Sequence, residues 1–357
     1  MNKQDEIVRK VELSGLVSIE EAKSLLDINP AKRPDLYGRI LALGFRNKKR
    51  LFKGAVYPVV PLYVSSICKE NCVYCNFRAG NKSKRIERIR LSLSELETEI
   101  RFLVRKGYRI IELVYSSDGG ISIEDICSHI KLTRSILREY GGGKVGLNCK
   151  PYSVAEYRLF RKSGLDFTIL WQETYNKKRY NVLHPGNTEK SNLKNRIDAP
   201  ERMLLAGIDS IGIGILSGLY DWKKDWLSLI SQVGHLLNKH KKRFKQVILG
   251  VPRLKPADGA LLKKTFFIPT DQEYLLAAAV FNLCFPKTIT FVNTREKWNI
   301  CTKLASGGGA LFTFDCKTIP GGYTHPKRAY QFPTFTFSFD SFPARLKKYG
   351  LKVKETY

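Results

Sequence analysis

Three thiols fall within eight positions of the segment SICKENCVYCNFR (66–78): Cys68, Cys72 and Cys75, spaced C-x-x-x-C-x-x-C. Thiolates are soft, strongly donating ligands that suit iron-sulfur clusters or zinc. Two would fit a disulfide or half a zinc site, and four would close a metal site. Three on a cubane cluster leave one iron open to a further ligand. Zinc would need a fourth Cys or His, and the remaining cysteines, Cys127, Cys149, Cys284, Cys301 and Cys316, form no second close pair. The spacing predicts a cluster held by three cysteines, with one metal position free for a substrate.

Such a loop must be held by the elements around it. From residue 55 onward apolar β-type runs alternate with charged helical stretches. Strands are predicted over 55–64, 108–116, 144–149, 166–172, 208–215, 245–252 and 288–294. Helices are predicted over 92–106, 122–140, 153–163, 191–206, 222–240 and 270–283. This alternation predicts an α/β fold, a parallel sheet closed fully or partly into a TIM-like barrel, with chemistry where the strands end. The cysteine loop follows the first strand directly. Residues 1–54 read as an N-terminal helical extension, in which SIEEAKSLL (18–26) opens with the Ser18/Glu21 pattern of a capping box. The barrel is expected over 55–325, and 326–357 as a C-terminal tail packed on it.

The chain has 357 residues, 43% of them apolar, enough for one such domain with an appendage. Eight cysteines are too sparse for a secreted disulfide scaffold, and no basic segment leading into an apolar one opens the chain, so a reducing, cytoplasmic setting is expected. No window approaches the run of about 18 apolar residues a membrane span needs. With 61 Lys and Arg against 33 Asp and Glu the formal charge is +28, a field that attracts acidic partners. The basic clusters RNKKR (46–50), NKSKR (81–85) and KHKKRFK (239–245) come with no nucleic-acid-binding signature. They are expected to be solvated surface, and nucleic acid is not an expected partner.

With the aromatic Tyr74 immediately before the last cysteine and a β/α chain around it, the motif resembles the radical S-adenosylmethionine superfamily. The resemblance implies a 4Fe-4S cluster on Cys68, Cys72 and Cys75. It also implies S-adenosylmethionine chelated to the open iron, its adenine against Tyr74, and reductive cleavage to a 5′-deoxyadenosyl radical. Six segments in order, PLYVSSICKENCVYCNFR (61–78), WQETYNKKRYNVLHPG (171–186), GIGILSGLYDW (212–222), GVPRLKP (250–256), NTRE (293–296) and PGGYT (320–324), narrow it further. Together they resemble the aromatic amino acid lyases: the tyrosine lyases of thiamine biosynthesis and of iron-only hydrogenase maturation, and the tryptophan lyase of nosiheptide biosynthesis. No cysteine follows Cys316, whereas the hydrogenase maturase carries a second cysteine set in a C-terminal domain.

Gln172 and Glu173 follow the strand DFTILW, so both are expected to project into the barrel mouth, where a carboxylate can bind a ribose diol or an ammonium. By resemblance Arg196, with Arg202 as competitor, pairs with the S-adenosylmethionine carboxylate. Gly212 and Gly214 lie in a strand pattern without a phosphate-loop motif and are expected to allow close approach of the cofactor or a neighbouring strand. Arg295, ending a strand, is a fork for an α-carboxylate. The resemblance gives it the substrate carboxylate, gives Tyr63 the substrate amine, and places Thr313 near the carboxylate as a hydroxyl donor. Where the family shows Gly-Glu after the second strand this chain has SSDGG (116–120), so Ser117 or Asp118 is expected at the methionine ammonium. GGGALFTFDC (307–316) departs from the family where the aromatic side chain is sensed.

The activity so implied is hydrogen-atom abstraction from the amino group of a free aromatic L-amino acid, then bond cleavage at Cα. L-tyrosine would give 2-iminoacetate and p-cresol, and L-tryptophan, the alternative, 3-methyl-2-indolic acid. A nucleic-acid-modifying enzyme is the further alternative, supported by charge alone. The electron would come from an acidic flavodoxin or ferredoxin steered by the basic surface.

Overall fold

The computed structural model describes residues 2–83, 86–325 and 337–357. Its core is a closed barrel of eight parallel strands, β1 Ala55–Ser65, β2 Ile110–Tyr115, β3 Lys144–Asn148, β4 Phe167–Glu173, β5 Ser210–Ile215, β6 Gln246–Gly250, β7 Ile289–Val292 and β8 Ala310–Phe312. Each strand pairs with its sequence neighbours, and β1 closes the ring by pairing with both β2 (Val59 opposite Ile110) and β8 (Val56 opposite Ala310). A short β9, Lys352–Val353, adds to β1 at Ala55 and Val56, below the start of the β1–β2 ladder. The strands read as mostly apolar runs because both faces are largely covered; all eleven residues of β1 are buried.

Three N-terminal helices, α1 Lys3–Ser14, α2 Ile19–Leu26 and α3 Pro34–Phe52, precede the barrel. Its crossovers carry α4 Leu93–Arg105, α5 Ile123–Glu139, α6 Val154–Lys162, α7 Lys177–Leu183, α8 Leu193–Leu205, α9 Trp222–His240, α10 Asp271–Cys284 and α11 Trp298–Leu304; α12 Phe342–Lys347 follows β8. Reciprocal capping boxes start five of them, at Ser18/Glu21, Ser92/Glu95, Ser122/Asp125, Ser153/Glu156 and Thr270/Glu273. The first is the one read from SIEEAKSLL. The N-terminal helices dock on α9 and α10, with Val17 N donating to Leu283 O at 3.2 Å and Gly44 packed on Ala279.

The barrel interior is filled by Tyr57, Val59, Ile110, Phe167, Ile169, Ile248 and their neighbours, and Tyr357 packs beneath on Tyr57 (5.7 Å) and Phe167 (6.4 Å). Among the described residues this leaves the opposite, C-terminal mouth of the barrel open.

Three findings depart from the sequence reading. Strand β8 is three residues inside the Gly-rich 307–316 segment, and α7, α11, α12 and β9 carried no signal read in advance. Of RNKKR, expected as solvated surface, Asn47 and Lys48 are buried; Lys48 Nζ donates to Thr288 O and to Gly309 O (3.3 Å), tying α3 to the barrel floor. Residues 84 and 85 of the NKSKR cluster, and 326–336 of the expected tail, lie outside the described residues. Among the described residues no helix is long and apolar enough to cross a membrane.

Candidate active site

A cavity of about 250 Å3 opens at the C-terminal mouth. Residues from seven strand ends line it: Tyr63 of β1, Ser117 after β2, Asn148 of β3, Trp171 and Glu173 of β4, Leu216 after β5, Lys255 after β6 and Arg295 after β7. Cys68, Cys72, Tyr74 and Cys75 lie on its wall.

The cysteine loop has no regular structure and is held by backbone bonds to its surroundings. Lys69 N donates to Ser117 O (3.1 Å), Val73 N to Leu183 O (3.0 Å), and Leu261 N to Val73 O (2.7 Å). Arg88 reaches across, its guanidinium donating to the carbonyls of Ser66 (3.1 Å), Phe77 (2.6 Å) and Arg78 (2.8 Å), on both sides of the three thiols. Burial pushes the Cys68 thiol up and the Cys72 thiol up to about 12, so in the bare pocket both are protonated; a positive centre is what would ionise them. The three thiols share one wall of the cavity.

Two β-bulges shape the mouth. In β4 the ladder skips between Trp171, opposite Gly214, and Glu173, opposite Ile215. The skipped Gln172 is fully buried and accepts from Gly214 N (3.1 Å) through Oε1, so it does not line the cavity. This corrects the expectation that both polar residues enter the mouth. Glu173 does enter it, from a left-handed backbone (φ +68°) that costs a non-glycine residue on the order of 1–3 kcal/mol. A second skip, between Tyr63 and Ser65 of β1, lies just before the cysteine loop.

Glu173 meets Lys190, whose Nζ donates to Oε1 at 2.6 Å. Burial works to raise the Glu173 carboxyl, but Lys190 and Arg196 outweigh it and hold it below the usual carboxylate range. Arg196 donates from Nη1 to Trp171 O (2.9 Å) and has its buried Nε without a partner among the described residues. Its competitor Arg202 points elsewhere, to Tyr152 O and to Asn195. The Tyr74 hydroxyl is 2.8 Å from His184 Nε2, while His184 Nδ1 lies 2.8 Å from Tyr180 O. A carbonyl only accepts, so Nδ1 carries the proton and Tyr74 donates to Nε2. Burial, with Lys190 nearby, lowers His184 to about 3, which keeps this relay neutral.

On the other side Tyr63 is 9% exposed and packs edge-on against Phe77 (6.3 Å). Burial raises its hydroxyl far above the ordinary value, partly offset by Arg295, which therefore lies within its electrostatic reach. Thr313 does not join them. Its hydroxyl donates to Val292 O (3.2 Å) across the β7–β8 ladder, and it does not line the cavity. Ser117 lines the cavity; Asp118 is turned to Arg90 (2.6 Å) and Ser65 (2.6 Å). Gly212 and Gly214 serve strand approach: a Cβ on Gly214 would sit 1.5 Å from Gly250 O, and one on Gly250 would sit 1.9 Å from the Trp171 indole.

Tyr180 and His184 lie inside WQETYNKKRYNVLHPG (171–186) and Lys190 four residues past it, where no local pattern singles them out. Arg253 and Glu296, each in a quoted motif, form a buried fork: Nε to Oε1 at 3.0 Å and Nη2 to Oε2 at 2.5 Å. It fixes the loop that carries Arg295.

Comparisons with known proteins bear on this geometry. Residues 62–230 match the family model of the radical SAM superfamily. The 2-iminoacetate synthase of Escherichia coli K12 is 28% identical over 290 residues, 79% of this chain and 72% of that protein. The 3-methylornithine synthase of Methanosarcina acetivorans is 26% identical over 230 residues, 64% of this chain and 60% of that one. The solved FeFe-hydrogenase maturase HydG from Carboxydothermus hydrogenoformans superposes with a TM-score of 0.85 at 26% identity, covering 99% of this chain and 79% of that one.

Proposed function

We propose, for a chain that carries a radical SAM domain and is similar along most of its length to 2-iminoacetate synthase and HydG, that it cleaves free L-tyrosine between Cα and Cβ to 2-iminoacetate and p-cresol. The observation that carries this reading is that Tyr63 and Arg295 line the same cavity as Cys68, Cys72 and Cys75. When bound, the 4Fe-4S cluster and S-adenosylmethionine of the superfamily supply a 5′-deoxyadenosyl radical. The protein's own residues do the rest.

Cys68, Cys72 and Cys75 would hold the cluster. Arg196 and the Lys190–Glu173 pair line the cavity as fixed cationic and anionic groups, with Lys190 and Glu173 close enough for their charges to act on Cys72, suited to the carboxylate and to the ribose or ammonium of S-adenosylmethionine. Tyr74, oriented through His184, presents its ring to the adenine. Arg295 grips the substrate carboxylate as a planar fork, and the Tyr63 hydroxyl orients the substrate amine. Holding both groups sets which bond at Cα aligns with the orbital left by hydrogen abstraction, so catalysis by these residues is orientation more than charge stabilisation. Burial lowers Arg295 only against the pull of Tyr63, Glu173 and Cys75, and it remains a cation. The electron is delivered by an acidic flavodoxin or ferredoxin steered by the +28 charge.

The test is anaerobic cluster reconstitution, dithionite reduction and product analysis with tyrosine, tryptophan or no amino acid. Tyrosine is expected to stimulate 5′-deoxyadenosine release and to yield p-cresol. Stimulation by tryptophan with 3-methyl-2-indolic acid would move the assignment to that substrate. Deoxyadenosine release indifferent to both would overturn it.

A further inference from the structure

One buried carboxyl has no part in the reading above. Glu112 is the third residue of β2, 2% exposed. Asn148 Nδ2 donates to its Oε1 at 2.8 Å, and its Oε2 is buried without a hydrogen-bond partner among the described residues. Its ladder neighbours are Pro61 on β1 and Gly146 on β3, neither with a polar side chain. Leaving such an oxygen unsatisfied is a penalty that native interiors rarely carry without a reason.

The place of Glu112 in the barrel supplies one. Alternate residues of a strand share a face, so Ile110, Glu112 and Val114 point the same way. Ile110 belongs to the apolar barrel interior, and Val114 lines the cavity. Glu112 thus stands at the boundary, one layer below the level of Val114 and its ladder partner Tyr63, a depth of roughly 6.6 Å at the rise of a strand. Its anchor Asn148 lines the cavity, and Tyr63 and Cys316 both feel its charge. Glu112 is not itself on the cavity wall; an amino acid held at the mouth by Arg295 and Tyr63, with its ring directed down the barrel axis past Val114 and Asn148, would bring the far end of that ring toward this layer.

We propose that Glu112, oriented by Asn148, accepts a hydrogen bond from the donor at the distal end of the substrate ring, and so selects an aromatic amino acid bearing such a donor over phenylalanine. The inference rests on the proposed lyase reading and names what determines its substrate. Either protonation state of the carboxyl keeps a lone pair on Oε2, and burial, against the Asn148 hydrogen bond, raises Glu112 to about 7.

The test compares wild type, Glu112→Gln and Glu112→Leu as reconstituted holoenzymes with tyrosine and with phenylalanine. Measured are kcat/KM for substrate-stimulated deoxyadenosine formation and, before reduction, the Kd of each amino acid in the presence of S-adenosylmethionine. Wild type is expected to favour tyrosine by at least about 100-fold, since a site built around a donor rejects the analogue lacking it. Glu112→Leu should lose about 10- to 100-fold on tyrosine, little or nothing on phenylalanine, and leave S-adenosylmethionine affinity unchanged; Glu112→Gln, which keeps an acceptor, should recover part of the preference. If tyrosine stimulates wild type but Glu112→Leu retains the wild-type ratio, or loses both substrates equally, the inference is wrong and the lyase reading stands. A wild type stimulated by no aromatic amino acid would instead remove the lyase reading, and this inference with it.

Discussion

The fork between Arg253 and Glu296 permits a worked prediction about how the substrate grip is held. Arg253 follows β6 and Glu296 directly follows Arg295, so the pair joins two strand-end loops 43 residues apart. Arg253 is 7% exposed and Glu296 1%, with a third bond from Nη1 to Pro269 O (3.1 Å) and a partly exposed Asp271 at 2.7 Å. At about 3 Å and an effective dielectric near 20 the Coulomb attraction is about 5.5 kcal/mol. Desolvation offsets much of it, but removing Glu296 leaves the buried Arg253 cation only the partly exposed Asp271 carboxylate and one carbonyl, a loss of about 3–5 kcal/mol. Glu296→Ala should therefore destabilise by about 4 kcal/mol. With an unfolding entropy of about 2.1 cal/mol/K per residue over 357 residues, roughly 0.75 kcal/mol/K, the Tm falls by about 5 °C. Because the loop carrying Arg295 loses its anchor, KM for the amino acid should rise as well. The assay is a set of thermal melts and a double-mutant cycle with Arg253→Met, alongside substrate kinetics. A Glu296→Ala melt within about 1 °C of wild type, or singles that add to the double within about 0.5 kcal/mol, would refute the argument.

Further outcomes follow from the site. Alanine at Cys68, Cys72 or Cys75 should abolish cluster absorbance and deoxyadenosine formation, while Cys149→Ala, in the same cavity wall, should keep the cluster; a cluster lost with Cys149 would redraw the ligand set. Lys190→Met should weaken S-adenosylmethionine binding about tenfold or more, because Glu173 then stands in burial with only Arg196 against it, and unchanged binding by calorimetry would remove Lys190 from the site. Glu112 has its carboxyl raised from 4.5 to about 7, so between those values the folded chain holds a proton the unfolded chain has released. The stability it contributes is complete below pH 4.5 and lost as pH rises through 7, about 2.5 units or roughly 3 kcal/mol. Denaturant melts of Glu112→Gln should lack that slope, and an identical pH profile would contradict it. Turnover driven by an acidic flavodoxin should fall steeply between 50 and 200 mM salt, about the range over which surface charges become screened, while dithionite-driven turnover should not.

The barrel was legible because seven strands are largely covered and so appear as mostly apolar runs, each observed strand lying within one to two residues of the predicted ends or inside them. Closure was not legible. The eighth strand has three residues in a Gly-rich segment, too short to show a period, and it is recognised only by its ladders to β1 and β7. The thiols carried their own signal in their spacing. Gln172 and Glu173 show the limit, since one skipped residue sends neighbours to opposite destinations and nothing in the local sequence marks the bulge. Thr313 is turned from the cavity by its bond to Val292 O across the β7–β8 ladder. The Arg253–Glu296 fork and the Tyr74–His184 contact depend on partners 43 and 110 residues away, which no local pattern reports.

The seat of Trp171 has a consequence for engineering. Its indole occupies the notch left by Gly250 and faces the cavity, so the largest side chain at the mouth is a removable spacer. Trimming it to leucine would enlarge the chamber without touching the cysteine loop, Arg295 or Tyr63, and alanine at Gly250 would instead push the ring inward. The size of acceptable substrate is therefore adjustable in either direction at a single contact, and a directed-evolution search for bulkier amino acids would begin there.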